Sequence, residues 1–364
     1  MHPDEEHMKA ALALAERGLG ETWPNPSVGC VVVKDGRVLG RGWTGVGGRP
    51  HAETQALAAA GAAARGSTVY VTLEPCAHFG QTPPCTEALI AAGVSRVVIG
   101  AADPDPRVNG EGVAQLRRAG IEVAEGILQS QAEAVAAGFL MRLRTGRPLV
   151  TLKLASTLDG QIATGAGESR WITSEAARRA AHALRGRHDA VLVGAGTVVA
   201  DDPELTCRLP HFRQRPIVRV VADSHLRIPL TTRIFASAAE IPTWLWVAEG
   251  ADPLRLRAVA ELGVKLMHLP LASHGVDLQE GLRALAKEGI TSVLVEGGAQ
   301  IAAAFLKQKL VDRLVWFHAP AVMGGDGWPA VEALGFDGLE EMPRFVRQSV
   351  QVCGPDLMSE FSVH

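Results

Sequence analysis

The sequence predicts two α/β layered domains that meet near residue 146. Three observations carry this. The chain has 364 residues, where roughly 100–200 make one domain. Hydrophobic residues make up 47% and charged residues 21%, ordinary globular usage that excludes a disordered or fibrous chain. Helical and extended patterns also alternate along the whole length, without the internal repeat that marks a solenoid or propeller.

A helix is expected over 4–19, then strands over 29–33 and 37–42. Lys34-Asp35-Gly36 joins these strands as a hairpin, because Asp-Gly readily supplies the positive φ of a tight turn. A small-residue helix over 52–64 and a strand over 68–73 come next. The series continues with helix 86–92, strand 96–99, helix 111–119 and strand 121–124. A helix over 131–144 closes the first domain. Thr145-Gly146-Arg147-Pro148 then provides a C-cap glycine and a helix-stopping proline. The domains are therefore 1–146 and 147–364. In the second, strands are expected over 149–155, 190–194, 217–222, 243–248, 292–296 and 313–319, and helices over 176–185, 278–287 and 299–306. Its strands are apolar throughout, as in a sheet covered by helices on both faces.

Charge and cysteine usage exclude several classes. Lysine and arginine total 36 against 39 acidic residues, so there is no global basic field for nucleic acid and no polybasic membrane signal. No apolar run approaches the ~18–20 residues that span a bilayer. Met1-His2-Pro3-Asp4-Glu5-Glu6 is acidic where a secretory signal would be positive. The five cysteines, Cys30, Cys76, Cys85, Cys207 and Cys353, are an odd number and a poor disulfide framework. They fit free thiols or metal ligands in a reducing cytoplasm, and a cytoplasmic location is the expectation. Cys207 and Cys353 have no metal partners in sequence and read as ordinary thiols.

Three stretches of the first domain converge on one chemistry. His51-Ala52-Glu53 opens a helix, Glu74-Pro75-Cys76 ends a strand, and Pro83-Pro84-Cys85 opens the next helix. One imidazole and two thiolates are a ligand set zinc favours, and three protein ligands leave the fourth position to water. The start of a helix carries partial positive charge, which favours thiolate at Cys85. Bound zinc brings the pKa of its water toward ~7, and Glu53 is placed to shuttle the proton to a substrate nitrogen. His-x-Glu with Pro-Cys-x-x-Cys is the known signature of zinc nucleobase deaminases, although eight residues separate Cys76 from Cys85 instead of two. Two other readings stand beside it. A nucleic-acid deaminase would need a basic surface, yet Arg65 alone supplies a positive charge between His51 and Cys85. A purely structural zinc normally has four protein ligands, and no fourth is evident.

The long intervening loop makes the pattern specific. The stretch Glu74-Pro75-Cys76-Ala77-His78-Phe79-Gly80-Gln81-Thr82-Pro83-Pro84-Cys85 resembles the deaminase half of the bifunctional riboflavin-biosynthesis deaminase/reductase family. So do Pro24-Asn25-Pro26-Ser27-Val28-Gly29, Asp103-Pro104-Asp105-Pro106 with Gly110 and Gly112, and Ala119-Gly120-Ile121. Downstream, 151–160, 167–173, 201–208 and Val295-Glu296-Gly297-Gly298 are similar to the reductase half. The resemblance runs from about residue 5 to the C-terminus. It implies a cytidine-deaminase-like three-layer domain followed by a dihydrofolate-reductase-like domain, with zinc and NADPH as cofactors and a dimer or tetramer as the assembly.

By the same resemblance, Asn25, His78 and Asp103 line the deaminase substrate site. Thr44, Gln81 and Asp105 depart from the family pattern, which more often has histidine, a basic residue and asparagine there. The first two departures remove positive charge near a phosphorylated substrate, and Arg49 is a candidate to replace it. In the second domain, Gly194-Ala195-Gly196-Thr197-Val198-Val199 lacks the third glycine of a dinucleotide fingerprint. Gly297-Gly298 before a helix offers backbone N–H groups to a phosphate. The resemblance implies cofactor contacts at Ala155, Trp171, Thr197, Asp201, Ser224, Gly298, Ala299, Gln300, Ile301, Ala302, Ala303 and Ala304. Substrate contacts fall at Ser169, Arg185, Leu205, Arg208 and Glu296, with Arg185 and Arg208 suited to one phosphate. Lys153, Asp201 and Glu296 are the candidates to polarise and protonate an opened sugar during hydride transfer. The implied substrates are phosphorylated pyrimidines, with neither nucleic acid nor membrane as partner.

Overall fold

The computed structural model describes residues 3–80, 82–273 and 275–363; Gln81, singled out above, lies outside the described residues. The chain forms two compact units, Met1–Pro148 and Leu149–His364.

In the first unit, strands β1 (Gly29–Lys34), β2 (Arg37–Trp43), β3 (Thr68–Leu73), β4 (Arg96–Ala101) and β5 (Glu122–Glu125) form one sheet in the order β2-β1-β3-β4-β5. The β1–β2 hairpin turns at Asp35 (φ 51°) and Gly36 (φ 71°), the paired positive φ values that match strand twist. β1 runs antiparallel to β2 and β3, while β3, β4 and β5 are parallel. Leu73 pairs with Ala101, so the segments leaving β3 and β4 emerge side by side. These are Glu74–Cys76 and Asp103–Asp105.

Missing Cβ atoms set how closely the helices press on this sheet. A Cβ at Gly29 would lie 1.9 Å from the Ala11 carbonyl oxygen, in the helix Pro3–Ala15. On β2, a Cβ at Gly40 would lie 2.1 Å from the Ala56 oxygen, and one at Gly42 2.3 Å from the Ala52 oxygen. Both of those oxygens belong to the helix Ala52–Ala60, which carries Glu53. No real side chain tolerates such approaches, so glycine seats the helix. Val31, Val71, Leu89, Val97 and Leu116 are fully buried in the core.

Three expected helices differ in the structure. The one expected over 52–64 ends at Ala60, where Gly61 takes φ 54°, and Gly61–Ala64 is a 3₁₀ turn. The first α-helix stops at Ala15 and continues as the single 3₁₀ turn Glu16–Gly18. The closing helix is split into Gln129–Val135 and Ala137–Thr145, with Ala136 out of helical geometry (φ −81°, ψ 1°) between them. Gly146 then adopts φ 71° as the C-cap, as the sequence suggested.

The second unit is built on a nine-stranded sheet. Its strands are β6 (Leu149–Ser156), β7 (Ala190–Gly194), β8 (Val218–Ala222), β9 (Thr243–Ala248), β10 (Lys265–Leu269), β11 (Ser292–Glu296), β12 (Arg313–His318), β13 (Val346–Cys353) and β14 (Asp356–Ser362). Their order is β10-β9-β8-β7-β11-β6-β12-β14-β13. The first seven in that order are parallel, and β14 and β13 form an antiparallel hairpin on the β12 edge. That hairpin corrects the expectation of a sheet covered on both faces. Val346, Val350 and Val352 of β13 are exposed, as an antiparallel edge permits and a buried parallel strand does not.

Candidate active sites

The ligand triad assembles at the carboxyl edge of the first sheet, where open α/β sheets place their ligands. His51 caps the helix Ala52–Ala60 without a side-chain hydrogen bond of its own to that helix. Its Nδ1 lies 3.2 Å from Cys85 Sγ and 3.7 Å from Cys76 Sγ. All three ligand atoms fall within 4.8 Å of one another. Around a tetrahedral zinc, Zn–S and Zn–N bond lengths place the same atoms about 3.6–3.8 Å apart, so the donor set fits that ion. Glu53, in the first turn of the same helix, is buried. Burial pushes its carboxyl above the usual range, and the Cys76 charge adds to this.

The helix start bears on both cysteines. Cys85 does begin the helix Cys85–Ala92, but its backbone N–H donates to Cys76 Sγ at 3.2 Å. The helix terminus therefore supports Cys76. Hydrogen bonding from Cys85 and His51, working against burial, brings Cys76 down to about 4. The Cys85 thiol is pushed up because it donates to its neighbour. A bound cation takes thiolates as ligands and so displaces the thiol protons.

The surrounding residues divide into lining and support. Asn25 is half-buried and donates through Nδ2 to the Gly48 carbonyl at 3.0 Å. His78 Nδ1 is buried with no hydrogen-bond partner. Asp103 is buried, and desolvation lifts its carboxyl to about 6, while Oδ1 accepts the Asp105 N–H at 2.9 Å. Asp105 is held down by Arg107, which pairs with it at 2.5 Å. Thr44 is buried and its Oγ1 accepts the Val28 N–H at 2.9 Å, a structural use. Arg49 reaches across to the Thr82 hydroxyl in the loop between the two cysteines. Sequence reasoning gave Glu74 no role. It is buried, and its two carboxylate oxygens accept the N–H groups of Asp103, Gly110 and Val113 at 3.2–3.4 Å. Glu74 thereby locks the Asp103 loop beside Cys76. An acid closing an otherwise apolar strand was the available signal.

In the second unit, Lys153 on β6 is in register with Glu296 at the end of β11. Arg185 holds both Glu296 oxygens, Nε to Oε1 at 2.7 Å and Nη2 to Oε2 at 2.8 Å. Its Nη1 donates to the Thr206 carbonyl at 2.6 Å. Burial favours a neutral Glu296, but Arg185 wins and draws it down to about 2. Burial lowers Lys153, opposed by Glu296 and assisted by Arg185, and its Nζ stands 5.7 Å from the Phe317 ring centre. Lys153, Glu296 and Arg185 thus form one group. Arg208 is elsewhere engaged: it is exposed and pairs with Glu204 at 3.6 Å. Arg185 is thus bound to a carboxylate and Arg208 is paired with Glu204.

A second group surrounds Asp201, which is half exposed and paired with Arg170 at 3.7 Å. The adjacent Trp171 is exposed, with the Arg178 guanidinium 4.4 Å above its ring. Ser169 is half-buried in the same loop, and Leu205 is buried with φ 53°. Thr197 lies in the helix Ala195–Asp201, which sequence reasoning did not foresee. A Cβ at Gly298 would come 3.1 Å from Thr197 Oγ1, so glycine keeps this corner open. Gly297 and Gly298 take φ 81° and 76° before the helix Ala299–Lys307. The amides of Ala299, Gln300 and Ile301 lie in its first turn, where an α-helix leaves N–H groups unpaired. Ala302 and Ala303 are buried, and the Ala302 N–H is already bonded to Gly298 O at 3.1 Å; Ala304 is half-buried one residue on. Ala155 packs with Ala177 and Phe317. Ser224 lines a cavity of about 270 Å³ beyond β8 and β9, together with His225, Glu249, Gly250, Asp252 and Leu271, and its Oγ accepts the Val276 N–H. These donors and this cavity fit a dinucleotide.

A His/Cys/Cys pocket with a buried glutamate, on a sheet flanked by helices, defines the first unit as a hydrolytic deaminase of the cytidine-deaminase class. Residues 1–101 match the family described as the cytidine and deoxycytidylate deaminase zinc-binding region, and residues 148–359 match the RibD C-terminal domain. The riboflavin biosynthesis protein RibD of Bacillus amyloliquefaciens is 44% identical over 97% of this chain and 95% of that protein. The Escherichia coli K12 protein of the same name is 42% identical over 97% and 98%. A diaminohydroxyphosphoribosylaminopyrimidine deaminase/5-amino-6-(5-phosphoribosylamino)uracil reductase from Thermotoga maritima superposes with a TM-score of 0.87 at 37% identity, covering 100% of this chain and 99% of that one. The chain belongs to the RibD family of bifunctional riboflavin-biosynthesis enzymes, with a zinc-binding deaminase domain and a reductase domain. No helix among the described residues is long and apolar enough to cross a membrane.

Proposed function

We propose that the first unit deaminates 2,5-diamino-6-(5-phosphoribosylamino)pyrimidin-4-one, and that the second reduces the ribosyl group of the product to ribityl with NADPH. The convergence of His51, Cys76 and Cys85 within 4.8 Å, with Glu53 buried in the helical turn that His51 caps, carries the first half. Zinc bound there supplies a Lewis acid that makes hydroxide available at neutral pH. Glu53 takes a proton at its carboxylate and returns it to the exocyclic nitrogen, which leaves as ammonia. Asn25, His78 and Asp103 orient the ring, and Arg49 is the cation nearest the pocket from the segment before His51.

In the second unit, bound NADPH would supply hydride to C1 of the ring-opened ribosylimine. Lys153 and Glu296 sit together deep in the group and supply the proton and the polarisation. Asp201, beside Arg170 and Trp171, belongs with the cofactor. Thr197, Gly298 and the amides of Ala299, Gln300 and Ile301 would hold its phosphates, and Ser224 would contact it from the cavity beyond β8 and β9. Ser169, Leu205 and Arg208 contact substrate, with Arg185 acting through Glu296. The domains divide as 1–146 and 147–364, and the enzyme is a cytoplasmic homo-oligomer that does not bind nucleic acid. Zinc content measured alongside turnover of the diaminopyrimidine, with and without NADPH, tests this. One zinc per chain with deamination independent of NADPH is expected. Glu53→Gln should retain zinc and lose about 10³-fold or more in deamination; surviving deamination would remove Glu53 from the chemistry.

A further inference from the structure

The helix Glu175–Gly186 turns one face toward the reductase site. Arg178, His182 and Arg185 follow one another at spacings of four and three, so they share that face. Arg178 covers Trp171 and Arg185 binds Glu296, but neither the proposed chemistry nor the cofactor uses His182. This imidazole is nevertheless fully engaged on one side. His182 Nδ1 lies 3.3 Å from the backbone nitrogen of Arg208. Its own carbonyl accepts the Cys207 thiol at 3.2 Å, and Arg185 Nη1 reaches the Thr206 carbonyl at 2.6 Å. Three successive residues, 206 to 208, are thus pinned to one helix.

The chain needs that restraint. Asp202 and Leu205, just upstream, have φ values of 41° and 53°, a region costly for side chains other than glycine. Gly186 lets the segment approach, since a Cβ there would stand 3.1 Å from Cys207 Sγ and 2.4 Å from the Phe212 ring. A backbone N–H only donates, so the bond to Arg208 requires an unprotonated Nδ1 on His182. Burial, with the Arg185 and Arg208 charges, keeps that ring neutral by bringing it down to about 4.

We propose that His182 is a positioning residue of the reductase half, its Nδ1 accepting the Arg208 amide and so aiming the Arg208 side chain at the anionic group of the phosphorylated substrate. This rests on the reading that the 205–208 segment contacts that substrate. The test is steady-state kinetics of the full-length protein with the phosphorylated substrate and NADPH varied separately. Loss of one neutral hydrogen bond predicts that His182→Ala raises the KM for the phosphorylated substrate about three- to tenfold, with kcat and the KM for NADPH unchanged. His182→Asn, whose Oδ1 can accept the same amide, should restore that KM. An equal fall in kcat for both variants, or an unchanged KM in His182→Ala while Arg208→Ala raises it, overturns the proposal. An unchanged KM in Arg208→Ala overturns the underlying reading instead. ¹⁵N spectra of the histidine-labelled wild type, with His182 assigned by its absence in His182→Asn, give a second readout independent of any alanine variant's folding. A pyridine-type Nδ1 at neutral pH supports the assignment, and a protonated Nδ1 refutes it.

Discussion

The two units hold their charged groups by opposite means. In the deaminase unit, His51 and Glu53 come from one helical turn, and Cys76 and Cys85 flank one loop. Their approach is set locally and completed by a cation. In the reductase unit, Lys153, Arg185 and Glu296 come from two strands and a helix spread over the domain. Their charges are balanced by one another, through a buried two-point contact between Arg185 and Glu296. A metal pocket can therefore be emptied while its fold survives, whereas an internally paired site loses stability as soon as one member is removed.

That contrast can be broken most severely at Cys76. Cys76→Ser should abolish stoichiometric zinc and deamination together, while the reductase rate measured on the deaminated substrate stays at the wild-type level; a parallel loss of both activities would contradict independent sites. Next in size is Glu296→Ala, which leaves the Arg185 guanidinium buried without its carboxylate. About 3–5 kcal/mol of stability should be lost in denaturant unfolding of the second unit, with reduction abolished and zinc content unchanged. Full stability would mean that the pair is solvated in solution.

The smallest effect sharpens the comparison within the deaminase unit. Asp103 titrates near 6 when folded against about 3.9 for a free aspartate. Between these values the folded chain binds the extra proton, so this group's stability contribution falls as pH rises through 4 to 6 and stays lost at pH 7. Asp103→Asn should then raise the thermal midpoint at pH 7 by a few degrees and leave it nearly unchanged at pH 4. Deamination should nonetheless fall, since Asp103 is proposed to orient the substrate ring. A lower midpoint at pH 7 would show that the carboxylate is paired.

The contrast also governs what the sequence revealed. Short-range features were legible: the Asp35-Gly36 turn, the Gly146 cap, and the triad itself, whose members are recognisable by type and spacing. Longer-range ones were not. Glu74 is a single acid after an apolar strand, and its three amide partners lie 29 to 39 residues away. The two-point bond of Arg185 is equally hidden, because nothing local discloses a carboxylate 111 residues downstream. The helix start at Cys85 is visible in sequence, but that its first N–H donates to Cys76 Sγ is not, because that depends on where the loop returns. The hairpin of β13 and β14 escaped notice because its exposed valines lack the uniform apolar signal of the parallel strands.

The seat beneath the helix Ala52–Ala60 bears on how this enzyme tolerates change. Gly40 and Gly42 bear no functional group, yet a methyl at either would drive the turn bearing His51 and Glu53 away from its sulfur partners. Damage there would look like an active-site lesion in an assay and like an innocuous strand position in a list of chemical groups. The geometry of the hydrolytic pocket is thus inherited in part from two hydrogen atoms on the far side of a helix.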